Sequence, residues 1–133
     1  MYCFDTDVAS ALLRTNPPVD LISRVSLVPK DEHHTTAITV AELLYGAERA
    51  SSLTLVDRVH ERVLCALVIV PFDVPAAEIY ASLRVRLERA GRRLADPDLM
   101  IAAICLSRDL ILVTGNVRHF SRVPELELEN WLS

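Results

Sequence analysis

Residues 1–10, MYCFDTDVAS, run from an apolar stretch directly into Asp5, Thr6 and Asp7. Tyr2, Cys3 and Phe4 suit a buried strand, and the polar trio ends it. Two carboxylates one residue apart at a strand end are either a polar turn or charge delivered to a site. The segment VASALLRT that follows reads as a helix stopping before Pro17 and Pro18. The chain thus opens as strand, acidic turn and helix, and the same alternation continues to its end.

VDLISRVSLV predicts a second helix, PKDEHH a polar loop, and TTAIT a short strand. In TVAELLYGAERA, Val40, Leu43, Leu44 and Ala47 fall at i, i+3, i+4 and i+7, the spacing of a helix. Another helix is predicted over 53–66, with LVIVPF a strand after it. Past Pro75, the residues Ala76, Tyr80, Leu83, Leu87 and Ala90 share one helical face that ends at Gly91. DPDLMIAAICLS is apolar nearly all round and so a buried helix, LILVT is a strand, and LELENW alternates like a late edge strand. This alternation predicts an α/β fold: a central, mostly parallel sheet of four to five strands with helices on both faces. In such sheets ligands bind beyond the carboxyl ends of the strands, where the strand order reverses.

At 133 residues the chain is expected to form one domain spanning 1–133. Its hydrophobic fraction is 51% with aromatics only 5%, so Leu, Val, Ile and Ala must build the core. No apolar run approaches the roughly 20 residues of a membrane span, and the start lacks a secretory layout, so a cytoplasmic location is expected. Cys3, Cys65 and Cys105 lie in apolar segments without metal-type spacing and read as reduced core residues. The net charge of −4 excludes a globally basic nucleic-acid binder but allows a local basic patch. Of 14 lysines and arginines, Lys30 is the one lysine and the remaining thirteen are arginines.

Four oxygen-bearing side chains fall where this architecture brings them toward the ligand-binding edge. Asp5 ends the first strand, Glu42 lies early in the helix after the second, Asp98 starts the buried helix, and Asn116 follows LILVT. Each has a plainer reading. Asp5 suits a turn or a helix cap. Glu42, at about 100° per residue, falls nearly opposite its helix's apolar stripe and so toward solvent. The same face carries Gly46 and Arg49. Asp96 suits the N-cap, with Pro97 first in the helix and Asp98 favouring the helix dipole. Asn116 suits a turn after Gly115. Together, however, such groups suit a hard cation such as Mg²⁺ or Mn²⁺, which leaves positions open to phosphate oxygens. Without a cation, clustered carboxylates repel and some protonate. Phosphoryl transfer or phosphodiester hydrolysis is the chemistry such a site suits.

Two families open in this way. Asp5-Thr6-Asp7 matches the Asp-x-Asp of haloacid-dehalogenase-like phosphatases, but those need a late lysine, and the only lysine is Lys30. The same gap excludes a phospho-acceptor receiver domain. The whole chain instead resembles the PIN domain, and within it the VapC-type toxins of bacterial toxin–antitoxin pairs. FDTDVAS resembles that family's opening motif, AELLYGA its Glu-bearing helix, DLMIAA its third acidic motif, and LILVTGNVRHFSRVPELELENW its closing strand end, His-Phe turn and last strand. Asp7 departs from the family's commoner Asn.

The resemblance implies a PIN-like α/β/α sandwich and a Mg²⁺- or Mn²⁺-dependent endoribonuclease. Asp5, Glu42, Asp98 and Asn116 are implied as ligands, with metal-activated water cleaving RNA to leave 5′-phosphate and 3′-hydroxyl ends. One ion is expected, and an amide at Asn116 leaves a second open. Thr6, Thr114, Asp7 and Asp96 are expected to support the site, Asp96 chiefly as a cap. His33, His34, His60 and His119 are expected in surface or turn roles. Arg118 is expected to contact phosphate or support the site. Arg84, Arg86, Arg89, Arg92 and Arg93 are either an RNA-facing patch or a solvated helix face. Implied partners are tRNA, rRNA or mRNA as substrate, a cognate antitoxin and a second copy of the chain, with no membrane and no DNA contact by the chain alone. Leu12, Leu13, Leu21 and Ile22 are either antitoxin groove or core. The rival reading is a catalytically silent PIN-like module that only binds RNA or protein.

Overall fold

A computed structural model describes residues 1–133. In chain order the elements are β1 (Tyr2–Phe4), α1 (Thr6–Leu12), α2 (Val19–Leu27), β2 (His33–Thr36), α3 (Ala37–Arg49) and α4 (Leu53–Val59). They continue with β3 (Val68–Val70), α5 (Val74–Arg89), α6 (Asp96–Arg108), β4 (Ile111–Val113), α7 (Val117–Phe120) and β5 (Leu128–Glu129). No helix is long and apolar enough to cross a membrane.

All five strands are parallel, in the order β3-β2-β1-β4-β5. β1 is therefore central, and the chain builds outward from it in two directions. The order reverses between β1 and β4, which places a crevice beyond Phe4 and Val113. Alternate residues feed opposite layers, as the period of a strand requires. Phe4 and Val113 join a cluster with Val8, Leu21, Val59 and Trp131 on the α1–α4 side. Cys3 and Leu112 join Ala76, Ile101, Ile104 and Phe120 on the α5–α6 side. Helix α6 lies between the sheet and α5, touching α5 through Leu99 and Ala102. That double burial is why its sequence is apolar nearly all round.

Several boundaries differ from the sequence expectation, each for a local reason. The second strand is His33–Thr36, HHTT, and not TTAIT, because the Thr36 hydroxyl accepts the Thr39 N–H and starts α3 there. His33 and His34 are consequently buried in the sheet and not displayed on a loop. Burial lowers the pKa of His33, whose ring packs against Phe4 and Trp131. The expected helix over 53–66 is α4, capped by Ser52, continued by a single π turn at His60–Leu64. Cys65 just beyond it is exposed, whereas Cys3 and Cys105 are core residues as expected. Gly91 does end α5, at φ 68°. Ala95, not Asp96, occupies the cap position of α6, and Asp96 is the first helical residue.

The last strand is short, and its neighbour Trp131 anchors it. The indole is 1% exposed, lies 4.9 Å from the Tyr2 ring and 5.4 Å from Phe4, and carries the Arg24 guanidinium 5.1 Å above it. Its N–H donates to Glu129 at 2.9 Å. Trp131→Ala should cost about 3–5 kcal/mol in urea unfolding, and Trp131→Phe clearly less. A loss below about 1 kcal/mol for Trp131→Ala would show that the C-terminal segment does not anchor the sheet.

Candidate metal centre

Asp5 follows β1 with extended backbone, φ −73° and ψ 178°, and is 3% exposed. One carboxylate oxygen accepts the Val8 N–H at 2.8 Å, so Asp5 does cap α1. The other accepts the Thr114 hydroxyl at 2.6 Å, across from the end of β4. The capping and site readings of Asp5 are thus compatible: the cap fixes one oxygen, and the second turns toward the crevice. Thr114 is itself held, because its hydroxyl accepts the Asn116 N–H at 2.9 Å.

Glu42 is half-buried and accepts the Thr6 hydroxyl at 2.6 Å, so it is not a purely solvated residue. Thr6 spends its single proton on Glu42, so the 3.2 Å contact with Thr39 must have Thr39 donating. Thr39 in turn accepts the Thr36 hydroxyl at 3.3 Å. A chain of hydroxyls therefore runs Thr36 to Thr39 to Thr6 to Glu42, each donating onward. The helical-wheel reading missed this because it registered only the sheet-facing stripe of α3. Glu42 instead faces the first turn of α1.

Asp98 lies in the first turn of α6, half-buried, and meets His119 Nε2 at 2.9 Å. His119 is thus a partner of the site and not a surface residue. It sits on the same turn as Asn116, three positions on, and that spacing was the available signal. Asn116 itself is exposed at the mouth. Asp5, Thr6, Asp7, Glu42, Asp98, Asn116 and Phe120 line one cleft of about 170 Å³. Of the other expected supporters, Asp96 points elsewhere, accepting the Tyr80 hydroxyl at 3.0 Å and lying 3.5 Å from Arg84. Arg118 is exposed and does not line the cleft. Arg86 and Arg93 sit 3.9 Å from Glu125 and Glu88 respectively, as a solvated helix face would.

The cleft holds four carboxylates and no lysine or arginine. Burial pushes the Asp5 carboxyl up to about 6, against the hydrogen bonds of Thr114 and Val8, with Asp7 and Asp98 adding repulsion. Concentrated oxygen donors with uncompensated negative charge fit a hard divalent cation. No three His, Cys, Asp or Glu side chains close into a ready-made cage. Mg²⁺ needs none, since it keeps several waters and takes one or two carboxylates directly.

The repulsion has a thermodynamic consequence. Between the ordinary carboxyl value of 3.8 and the folded value of about 6, the folded chain binds more protons than the unfolded chain. Stability in chelator therefore falls as pH rises across that window, by up to about 3 kcal/mol, and is flat with respect to Asp5 above it. Asp5→Asn should remove that slope and raise the melting temperature at pH 7.5 in EDTA. Parallel wild-type and variant stability curves between pH 4 and 7 would contradict the assignment.

The PIN domain family profile matches residues 2–126. Ribonuclease VapC2 of Haemophilus influenzae is 32% identical over 131 residues, 98% of each chain. The tRNA(fMet)-specific endonuclease VapC of Salmonella typhimurium is 35% identical over 96 residues, 72% of this chain and 73% of that one. VapBC2 from Rickettsia felis, solved bound to a DNA fragment from its promoter, superposes with a TM-score of 0.90 at 28% identity over 98% of each chain. The acidic crevice beyond β1 and β4, on an all-parallel sheet matched over nearly its whole length, places this chain in the PIN-domain family, among its VapC-type members.

Proposed function

We propose that this chain is a Mg²⁺- or Mn²⁺-dependent endoribonuclease, the toxin of a toxin–antitoxin pair. The observation that carries the reading is the convergence of Asp5, Glu42 and Asp98, from the end of β1 and from α3 and α6, on one cleft without a cationic side chain. The relatives' names, ribonuclease and endonuclease VapC, support the same reaction class. One ion is proposed, held by Asp5, Glu42 and Asp98 with Asn116 at the mouth. When bound, it supplies Lewis acidity that lowers the pKa of water and neutralises charge on the scissile phosphate.

The chain's own residues do the rest. Thr114 and Thr6 donate to Asp5 and Glu42 and so hold both carboxylates in fixed orientations. Asp7 adds background negative charge. RNA must be drawn toward this acidic centre by cations outside it. A groove of about 560 Å³ shares Thr6, Asp7 and Glu42 with the cleft and carries Arg14 and Arg58 along its walls. It suits a strand entering the site. A tRNA is the first substrate to test, because one relative is named for tRNA(fMet).

The antitoxin is proposed as a protein that covers the neighbouring apolar surface. Leu13 and Leu21 are core, but Leu12 and Ile22 line a groove of about 600 Å³ with Val25, Val28 and Leu67. Several structural relatives are themselves VapBC complexes. A homodimer and a cytoplasmic location complete the proposal.

Incubation of purified chain with tRNA and Mn²⁺ should yield discrete cleavage that EDTA abolishes. Asp5→Asn and Asp98→Asn should each reduce the rate by at least about a hundredfold, while Asp7→Asn should stay within about tenfold of wild type. Cleavage that survives both chelation and substitution would sink the metal mechanism. Failure on every RNA class would favour the silent binding module.

A further inference from the structure

Each carboxylate proposed as a ligand has its own protein donor. Thr114 serves Asp5, Thr6 serves Glu42, and His119 serves Asp98. The first two donors are hydroxyls whose support follows from the sequence motifs. The third is an imidazole on α7, and it does more than the others. Its backbone N–H also donates to the Asn116 carbonyl at 3.1 Å, so one residue grips both the α6 carboxylate and the segment carrying Asn116. The His119 ring meets Phe120 edge-on at 5.3 Å, and Phe120 is buried at 2% exposure, which restricts where the imidazole can swing.

The contact at 2.9 Å engages only the Oδ2 oxygen of Asp98. Oδ1 makes no protein hydrogen bond in this arrangement and is available to a ligand. We infer that His119 is the positioning residue of Asp98: its Nε2–H fixes Oδ2, so that Oδ1 is presented to the divalent cation in a set orientation. The inference rests on the metal-dependent reading above. It assigns to a histidine the role that orienting donors play around metal-binding carboxylates, whose loss costs about 10–100-fold in affinity.

The alternative is a bridge that merely ties α7 to α6, and the two differ in what they change. Mn²⁺ binding to the full chain, read by electron paramagnetic resonance at pH 7.5, should weaken about 10–100-fold in His119→Ala. The melting temperature in EDTA should stay within a few degrees of wild type. His119→Gln, whose amide N–H can make the same bond, should recover most of the affinity. Cleavage by His119→Ala should return toward the wild-type rate at saturating Mn²⁺, a defect in metal KM and not in kcat.

An Ala variant that melts lower but binds Mn²⁺ as wild type does would overturn the inference in favour of the bridge. So would a Gln variant no better than Ala, which would make the imidazole itself a ligand. Nitrogen-15 spectra of the wild-type chain give a check that needs no variant: Nε2 of His119 must carry a proton, and a pure Nδ1–H tautomer overturns the inference. Wild-type chain that neither binds Mn²⁺ nor cleaves RNA marks failure of the functional reading itself, a result distinct from any of these.

Discussion

A carboxylate held almost wholly out of water at the end of the central strand is the constraint on which this molecule turns. Asp5 cannot be relieved by solvent, so its neighbours must supply what water would. The Val8 N–H and the Thr114 hydroxyl do so from opposite sides, one from the helix that Asp5 begins and one from the adjacent strand. Those two bonds fix how α1 leaves the sheet and how β4 lies beside β1. The position of Asp5 is therefore inseparable from the register of the sheet, in which Phe4 pairs with Val113. Moving the carboxylate would mean moving the fold.

The hydrogen bonds do not cancel the cost of burial. They lower the carboxyl's proton affinity, yet burial and the charges of Asp7 and Asp98 leave it at about 6. The protein thus carries a local electrostatic strain at a buried position that also caps α1. Such strain at a conformationally determined position is how a site is prepared for a ligand that removes it. The hydroxyl chain from Thr36 to Glu42 serves the same end by a different route. It orients a flexible side chain through groups that are already committed to starting α3.

Much of this was legible in the sequence because the relevant signals were local. The strand-to-acid-to-helix opening, the Gly91 stop and the uniformly apolar α6 each follow from short-range rules, and each is found in place. What escaped notice depended on partners far away in the chain. Glu42 looked solvated because its helix faces two neighbours, and periodicity reports only the larger one. His33 and His34 read as loop residues because polarity suggests a turn, whereas the cap at Thr36 ends the strand there and its start lies two positions earlier than expected. Asp96 resembled a cap next to Pro97, but Tyr80 on α5 claims its carboxylate. His119 reads as a turn residue, since only its spacing from Asn116 hints at the site and its partner Asp98 lies 21 positions earlier.

The strand order carries one more consequence, and it concerns time. β1 is the first strand made, yet its neighbour β4 is the fourth, and the Thr114 bond to Asp5 spans 109 positions. During synthesis, Asp5 leaves the ribosome long before its donor is added, and Asp98 and His119 follow it only after β3 and β4 respectively. Half a chain is therefore chemically mute: it holds the acids of the opening motif but no cleft in which they meet. On this plan the acidic cleft cannot assemble until α6 and α7 have followed the opening strand out. That delay follows from placing the oldest strand in the middle of the sheet.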